Sequence, residues 1–306
     1  MTSRVHPVSG VSIGHWTDAE ARTGCTVLLF NRSVPAAAEV RGGAPGTREL
    51  DALGYGRIGR RADAILFTGG SAFGLAAADG VMRFLRERDR GFPTAAGPVP
   101  IVPAAVIYDL ANGRPVAPDA SAGYAACRAA TLLPEARFGR VGAGTGARFG
   151  SVNGAASIQD GGIGAGQQRS GPGTVTAIVV LNAFGIVRDE TAKMSTDPRP
   201  AFVTGARPTS QFSAFQRDNT TLVAVVVDAP CGHRTLQNLC VAAHDALARR
   251  ILPTHTEVDG DVAFAVALHE TSVDTSTLTD RLQLAMAVEL AVERAVLDAS
   301  QLPHAL

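Results

Sequence analysis

The chain has 306 residues, 46% of them hydrophobic, which is enough apolar material for a buried core without disulfides or metals. Its 28 basic and 28 acidic residues cancel, which argues against nucleic acid or a membrane surface as a partner, because both call for a basic excess. The four cysteines are scattered, and the first residues lack the apolar run of a signal peptide. We therefore expect a cytoplasmic protein with reduced thiols.

Short apolar segments rich in β-branched residues predict buried strands. They cover residues 25–30, 64–67, 175–181, 222–227 and 262–268. Apolar residues at helical spacing predict helices over 72–86, 236–251 and 281–297. The predicted apolar face of the last helix consists of Leu282, Leu284, Met286, Leu290 and Val292. Because strands and helices interleave, we expect an α/β or α+β protein with several layers.

Residues 189–219 form an unusual stretch with three prolines, several Ser and Thr residues and little periodicity. A connection of this length within a compact protein is usually functional or flexible. It ends at the predicted strand that Thr220 introduces. A flexible segment that leads into a buried strand is a place where the backbone could be cut without unfolding the protein.

The Asn219–Thr220 bond is the candidate cleavage site. A threonine hydroxyl is a poor nucleophile until a base removes its proton. If Thr220 became the first residue of a chain, its own α-amine, with an ordinary pKa of about 8, could serve as that base. By itself, Asn-Thr-Thr before a strand is more often a simple turn.

Seven segments in chain order carry a resemblance to a known family. They are residues 10–15, 38–43, 69–75, 105–109, 142–147, 219–221 and 259–261. Together they resemble the self-processing DmpA-type L-aminopeptidase/D-esterase family, within the ornithine-acetyltransferase-like superfamily of N-terminal nucleophile enzymes. The threonine and the Asp-Gly-Asp segment look most similar to the branch that holds the endo-type 6-aminohexanoate-oligomer (nylon) hydrolases.

The resemblance implies a catalytic role for each of five residues. Thr220 matches the nucleophile, and Asp259 and Asp261 match an acidic pair that orients and charges its amine. Asn182 matches an oxyanion donor, a contact worth about 3 kcal/mol in the transition state. Tyr108 matches a tyrosine that lines the site. Without the resemblance, the acidic pair would more simply be a solvated turn, Asn182 a turn amide and Tyr108 a core-edge residue.

The glycine-rich loops and a nearby arginine are the expected substrate contacts, namely Gly70, Ser71, Gly144 and Arg148. The related nylon hydrolases carry a lysine shortly after their Gly-Ala-Gly segment, where this chain has Gly150 and Ser151. Lys193 is the only lysine and lies in the 189–219 stretch, so Arg148 is the candidate for a positive charge in its place. Arginine presents a planar fork rather than a point charge, which leaves the substrate preference open.

The resemblance further implies a four-layer αββα sandwich, with residues 1–306 as a single folding unit. Self-cleavage would divide it into an α chain, 1–219, and a β chain, 220–306, that assemble as a homo-oligomer. The expected substrate is a small peptide or oligoamide, such as a 6-aminohexanoate oligomer, hydrolysed through an acyl-Thr220 intermediate without a cofactor or metal. A strict aminopeptidase/esterase, an acyltransferase and an uncleaved ligand-binding relative remain alternatives.

Three other kinds of site fit the sequence less well. A Ser-His-Asp hydrolase through Ser71 lacks the full Gly-x-Ser-x-Gly elbow. Cys231, His233, Cys240 and His244 match no standard zinc spacing. The glycine clusters match neither a P-loop nor a complete dinucleotide-binding fingerprint.

Overall fold

The computed structural model describes residues 5–6, 8–188, 197–204, 219–269 and 276–301. The strands in chain order are β1 (Val11–Asp18), β2 (Thr23–Val40), β3 (Thr47–Arg48), β4 (Arg61–Thr68), β5 (Ala104–Val106), β6 (Thr131–Leu132), β7 (Arg148–Phe149), β8 (Gln159–Asp160), β9 (Ile163–Arg169), β10 (Thr174–Asn182), β11 (Ile186–Val187), β12 (Thr220–Pro230), β13 (Ile251–Leu252) and β14 (Val262–His269). The helices are α1 (Ala77–Arg86), α2 (Ala120–Arg128), α3 (Arg199–Val203), α4 (His233–Arg250) and α5 (Leu278–Ser300). Each predicted strand lies within one of these strands. The predicted helix 72–86 begins as a 3-10 turn, Ser71–Ala76, that continues into α1.

Ten strands of the described chain form two sheets joined by the long strand β2. The first half of β2 pairs with β1 and β4, and its second half pairs with β14. The continuous strand order is β3-β5-β4-β2-β14-β12-β10-β9. We call β1, β3 to β6 and the first half of β2 the first sheet, and β9, β10, β12, β14 and the second half of β2 the second sheet.

Three apolar cores separate four layers. One core lies between α1, α2 and the first sheet, a second between the two sheets, and a third between the second sheet and α4 and α5. Phe67 and Phe264 meet across the middle core, with ring centroids 6.0 Å apart. The αββα sandwich that the resemblance implied is therefore confirmed.

Alternation along β12 sets the direction of the residues near the site. Leu222, Ala224 and Val226 belong to the core between the sheets, whereas Val223, Val225 and Val227 face the helices. Burial on both faces explains why this strand is an uninterrupted apolar run. Because side chains alternate, Thr220 lies on the same face as Leu222 and opens toward the space between the sheets.

Helix α5 is present, and its predicted apolar face is only partly right. Leu284 and Val292 are buried as expected, whereas Leu282, Met286 and Leu290 are exposed, and the buried face also includes Ala291 and Ala295. The cause lies in strand β9: a Cβ on Gly164 would stand 2.0 Å from the carbonyl oxygen of Ala295, and one on Gly166 equally close to that of Ala291. Helix and strand backbones approach so closely that only small residues fit between them.

Within the stretch 189–219, the structure describes the short helix α3 and residue 219, and most of the predicted unstructured connection lies outside the described residues. Among the helices of the described ranges, none is long and apolar enough to cross a lipid bilayer.

Candidate active site

Thr220 and Asn182 face each other across two neighbouring strands. Thr220 begins β12, Asn182 ends β10, and the antiparallel register pairs the two residues directly. Both are buried, with exposed fractions of 5% and 2%. Side chains of directly opposed residues project to the same face of a sheet, about 5 Å apart at Cβ. The register therefore brings the predicted nucleophile next to the predicted oxyanion donor.

The carbonyl group of Asn219 is held by two donors. The Thr220 hydroxyl donates to the Asn219 oxygen at 2.6 Å, and the backbone N–H of Gly260 donates to the same oxygen at 3.0 Å. A Cβ on Gly260 would lie 2.9 Å from Thr220 Oγ1 and 2.5 Å from the carbonyl oxygen of Ala44. Only a glycine at position 260 allows this approach, which polarises the carbonyl that precedes the threonine.

Asp261 is fully buried and accepts hydrogen bonds from several donors. One carboxylate oxygen accepts the backbone N–H of Thr221 at 2.6 Å. The other accepts the Thr254 hydroxyl at 3.1 Å, and both the backbone N–H (3.2 Å) and ring Nδ1 (2.7 Å) of His255. Donors on both oxygens fix the carboxylate beside the backbone of the nucleophile.

His255 lies between two acceptor groups. Its Nδ1 faces the Asp261 carboxylate at 2.7 Å, and its Nε2 lies 3.3 Å from the carbonyl oxygen of His244. These contacts hold the imidazole ring against Asp261. The His244 ring packs edge-on against the His255 ring, 4.8 Å between centroids, and burial lowers the pKa of His244 to about 4.

Asp259 is the second buried carboxylate. It accepts the hydroxyl of Thr256 at 2.6 Å, the backbone N–H of the same residue at 3.0 Å, and that of Phe184 at 3.2 Å. Burial, with a smaller contribution from the charge of Asp261, raises the pKa of Asp259 to about 6. In the intact chain the nitrogen of Thr220 is a neutral amide, so it carries no positive charge that could offset the charge of the Asp259 carboxylate.

A pocket of about 510 Å³, its open mouth included, lies beside Asn219. Its polar lining consists of Tyr108, Asn112, Arg148, Ser151, Asn182 and Asn219, with Phe149 and Ile158 as apolar walls. The backbone N–H of Arg148 donates to Asn182 Oδ1 at 2.9 Å. That bond fixes the orientation of the Asn182 amide, whose NH2 group is its donor end.

Three arginines surround one carboxylate, and one of the three, Arg148, lines this pocket. Strands β7 and β8 pair Arg148 with Asp160, whose carboxylate also contacts Arg22 and Arg140. Burial, followed by the charge of Arg22, lowers the pKa of the Arg148 guanidinium. The charge of Asp160 opposes this shift, and that of Arg140 adds to it.

Three predicted substrate contacts lie outside the pocket lining. Gly70, in a left-handed conformation, donates its N–H to Asp109 Oδ1 at 2.7 Å, and Ser71 donates its N–H to Ile107 oxygen at 3.0 Å. Gly144 is buried, and a Cβ there would lie 2.7 Å from the backbone nitrogen of Ile163. The described structure thus groups Tyr108, Arg148, Asn182, Asn219 and Thr220 together and assigns these three to turns.

Several residues of the site had no role in the sequence-based prediction. Gly260 contributes a backbone N–H, for which no side-chain signal exists, although its place between two aspartates marks it. His255 gains its role by contacting α4, which the sequence alone does not place there. Asp109, buried and held by Gly70, has its pKa raised to about 6 by burial.

The structure assigns other partners to the imidazoles of the weighed metal motif. His233 and His244 donate to the carbonyl oxygens of Leu53 and Glu39, at 2.8 Å and 3.1 Å. In the part of the chain that is described, no three His, Cys, Asp or Glu side chains are grouped to hold a metal ion.

Solved structures share this fold. The L-aminopeptidase D-Ala-esterase/amidase of Ochrobactrum anthropi, described as a variant of the Ntn hydrolase fold, matches with a TM-score of 0.72 and 20% identity, over 98% of this chain and 86% of that one. A β-aminopeptidase of a Burkholderia species matches with a TM-score of 0.70 and 24% identity, over 98% and 87% of the two chains.

Sequence comparisons extend the match to the family level. An uncharacterized aminopeptidase of Mycobacterium leprae is 40% identical, over 92% of this chain and 82% of its own length. The 6-aminohexanoate-oligomer endohydrolase of a Kocuria species (strain KY2) is 32% identical, over 90% and 78%. The model of peptidase family S58 matches residues 4–303. The chain therefore belongs to peptidase family S58 and is an amide hydrolase.

Proposed function

We propose that this enzyme cuts its own Asn219–Thr220 bond and then hydrolyses small peptides or oligoamides with Thr220 as the nucleophile. Cleavage would divide one folding unit, residues 1–306, into an α chain of residues 1–219 and a β chain of residues 220–306. The observation that carries the proposal is the Thr220 hydroxyl 2.6 Å from the Asn219 carbonyl oxygen, which also accepts the Gly260 N–H.

Self-cleavage begins with the hydroxyl already at the carbonyl that it attacks. Thr220 Oγ1 bonds to the Asn219 carbonyl carbon, the C–N bond breaks, and the departing nitrogen takes the hydroxyl proton. Water then opens the ester, which leaves a carboxylate on Asn219 and a free amine on Thr220. Gly260 N–H would stabilise the oxyanion of this step, because it already contacts the oxygen on which the charge develops.

Substrate hydrolysis repeats the same chemistry with an external amide. The Thr220 amine removes the hydroxyl proton, and that proton passes to the leaving amine of the substrate. The ester of Thr220 forms and water releases the acid. Asn182 and Gly260 N–H would hold the oxyanion between them.

The two carboxylates support the amine in different ways. Asp261 accepts the N–H of Thr221, so it fixes the start of strand β12 next to the amine. Asp259, whose pKa is raised to about 6 in the intact chain, is poised to gain stability once an ammonium appears beside it. A cation within about 6 Å favours the ionised carboxylate.

Two broader expectations accompany this function. The resemblance implies a homo-oligomer of processed protomers, which light scattering on the purified protein would measure. Cys25, Cys127 and Cys240 are buried thiols, in keeping with a reducing compartment, and we propose the cytoplasm. Cell fractionation tests this location.

Thr220→Ala and Thr220→Ser test the proposed function. Thr220→Ala should remain a full-length chain without activity on peptide amides or linear 6-aminohexanoate oligomers, whereas Thr220→Ser should retain both self-cleavage and turnover because it keeps the hydroxyl. Cleavage or activity in Thr220→Ala would refute the proposal. The same panel distinguishes an aminopeptidase, the activity named for the mycobacterial relative, which would require a free N-terminal amine on the substrate.

A further inference from the structure

The acyl side of the active site can be located from the chain's own cleavage, so this inference rests on the proposed function. In self-cleavage Asn219 is the acyl group, and its side chain reaches into the pocket. The Ser151 hydroxyl donates to Asn219 Oδ1 at 3.3 Å, and Asn219, Asn182 and Arg148 line the same cavity. An external acyl group that bonds to Thr220 would therefore extend toward Arg148.

Arg148 shares its carboxylate partner, Asp160, with two other arginines. Arg22, at 3.1 Å, Arg140, and Arg148, at 3.9 Å, all share the single carboxylate of Asp160. The four side chains are between 17% and 34% exposed, so water only partly screens them. Of these four side chains Arg148 lines the pocket, and Arg22 and Arg140 compete with it for the one carboxylate of Asp160.

The other carboxylates of the described site point elsewhere. Asp109 is engaged by the N–H of Gly70, Asp259 by Thr256 and the N–H of Phe184, and Asp261 by His255 and the N–H of Thr221. Neither these three carboxylates nor Asp160 belong to the pocket lining, so Arg148 is the one charged side chain among the described residues that line the pocket. A substrate with a free ammonium on its acyl part would thus meet repulsion, whereas an anionic group would find partners in a fork geometry suited to carboxylates.

We propose that the pocket selects acyl groups that carry a carboxylate a few bonds beyond the scissile carbonyl, and disfavours acyl groups with a free amine. Arg148 is the residue that meets this carboxylate, and Arg22 and Arg140 keep Asp160 from neutralising it. Hydrolysis of such a substrate transfers the acyl group to Thr220 with release of the amine, and water then frees a dicarboxylic acid.

Three p-nitroanilides of nearly equal shape test the proposal on the processed enzyme. Their acyl groups are glutaryl (anionic), glutaramoyl (a neutral isostere) and 5-aminopentanoyl (cationic). We expect kcat/KM to be roughly tenfold higher for glutaryl than for glutaramoyl, and lowest for 5-aminopentanoyl. A preference for the neutral or the cationic substrate would overturn the proposal.

Arginine variants assign the preference to this cluster. Arg148→Met should bring the glutaryl to glutaramoyl ratio close to one, and Arg140→Met, a second variant should the first misfold, should lower it. Arg128→Met removes an exposed arginine at the end of α2 and should keep the wild-type ratio. An unchanged ratio in both Arg148→Met and Arg140→Met contradicts the inference.

A binding measurement separates this inference from the proposed function. Calorimetric titration of the processed enzyme with glutarate, glutaramate and 5-aminopentanoate measures how binding affinity depends on charge, independently of turnover. Suppose that the enzyme hydrolyses none of the anilides but binds glutarate tightly, and that Arg148→Met weakens this binding about tenfold. The charge selection would then stand, and the hydrolytic role would be refuted. Equal binding of all three acids would overturn the charge selection even if hydrolysis is observed.

Discussion

A single methyl group at Gly260 should obstruct both the nucleophile and the carbonyl it attacks. In Gly260→Ala the new Cβ would lie 2.5 Å from Ala44 oxygen and 2.9 Å from Thr220 Oγ1, against about 3.4 Å for ordinary contact. Relief of the first clash requires a backbone shift of about 1 Å, which would break the 3.0 Å bond from Gly260 N–H to Asn219 oxygen. A displacement of about 1 Å at a reacting group can cost about 100-fold in rate, so we expect self-cleavage to slow by about that factor.

The assay follows conversion of the full-length chain into two fragments by gel densitometry at a temperature well below unfolding. Overpacking also costs stability, of the order of 1–3 kcal/mol, so thermal unfolding of each variant is measured in parallel. Gly59→Ala is the matched control, because its Cβ would have no neighbour closer than 3.4 Å. Folded Gly260→Ala that matures at the wild-type rate would refute the claim that Gly260 shapes the reacting geometry.

Three further predictions concern the neighbours of Thr220. Asn182→Ala should lower kcat about 100-fold with little change in KM; an unchanged kcat with weaker binding would reject the oxyanion role. His255→Asn, which keeps an N–H donor for Asp261, should retain more kcat than His255→Phe at similar KM, and equal losses in the two variants would argue against a positioning role. In uncleaved Thr220→Ala protein, the folded-state pKa of Asp259 (about 6) exceeds its ordinary value of 3.8, so the folded state binds the proton more tightly. The free energy of unfolding, measured in urea, should therefore fall as pH rises from about 4 to 6, and adding Asp259→Asn should flatten that slope; an unaffected slope would contradict the shifted pKa.

Periodicity and turn chemistry predict much of the scaffold of this fold. Strands such as β10 and β12 are buried on both faces, so each is an apolar run that stands out from the sequence. The site residues at their ends, Asn182 and Thr220, come from the family resemblance, and the antiparallel register accounts for their proximity. The apolar face of helix α5 is predicted only in part, because which side packs against the sheet depends on two glycines of β9 far away in sequence.

Long-range contacts account for what the sequence did not predict. One contact of the His255 ring is with a carbonyl group of α4, and the arginine cluster joins Arg22, Arg140 and Asp160 across 138 residues of chain. Such groups have no local signal, since their spacing in sequence is arbitrary and only the packing of layers brings them together. A backbone donor such as Gly260 N–H carries no residue-type signature at all.

The most direct test of self-cleavage is the intact mass of the purified wild-type protein, combined with N-terminal sequencing of each fragment. We expect two fragments that copurify, the smaller beginning Thr-Thr-Leu at Thr220 with an unblocked amine. A fully active enzyme whose Asn219–Thr220 peptide bond is intact would contradict this expectation, because Thr220 would then have no amine to serve as its base.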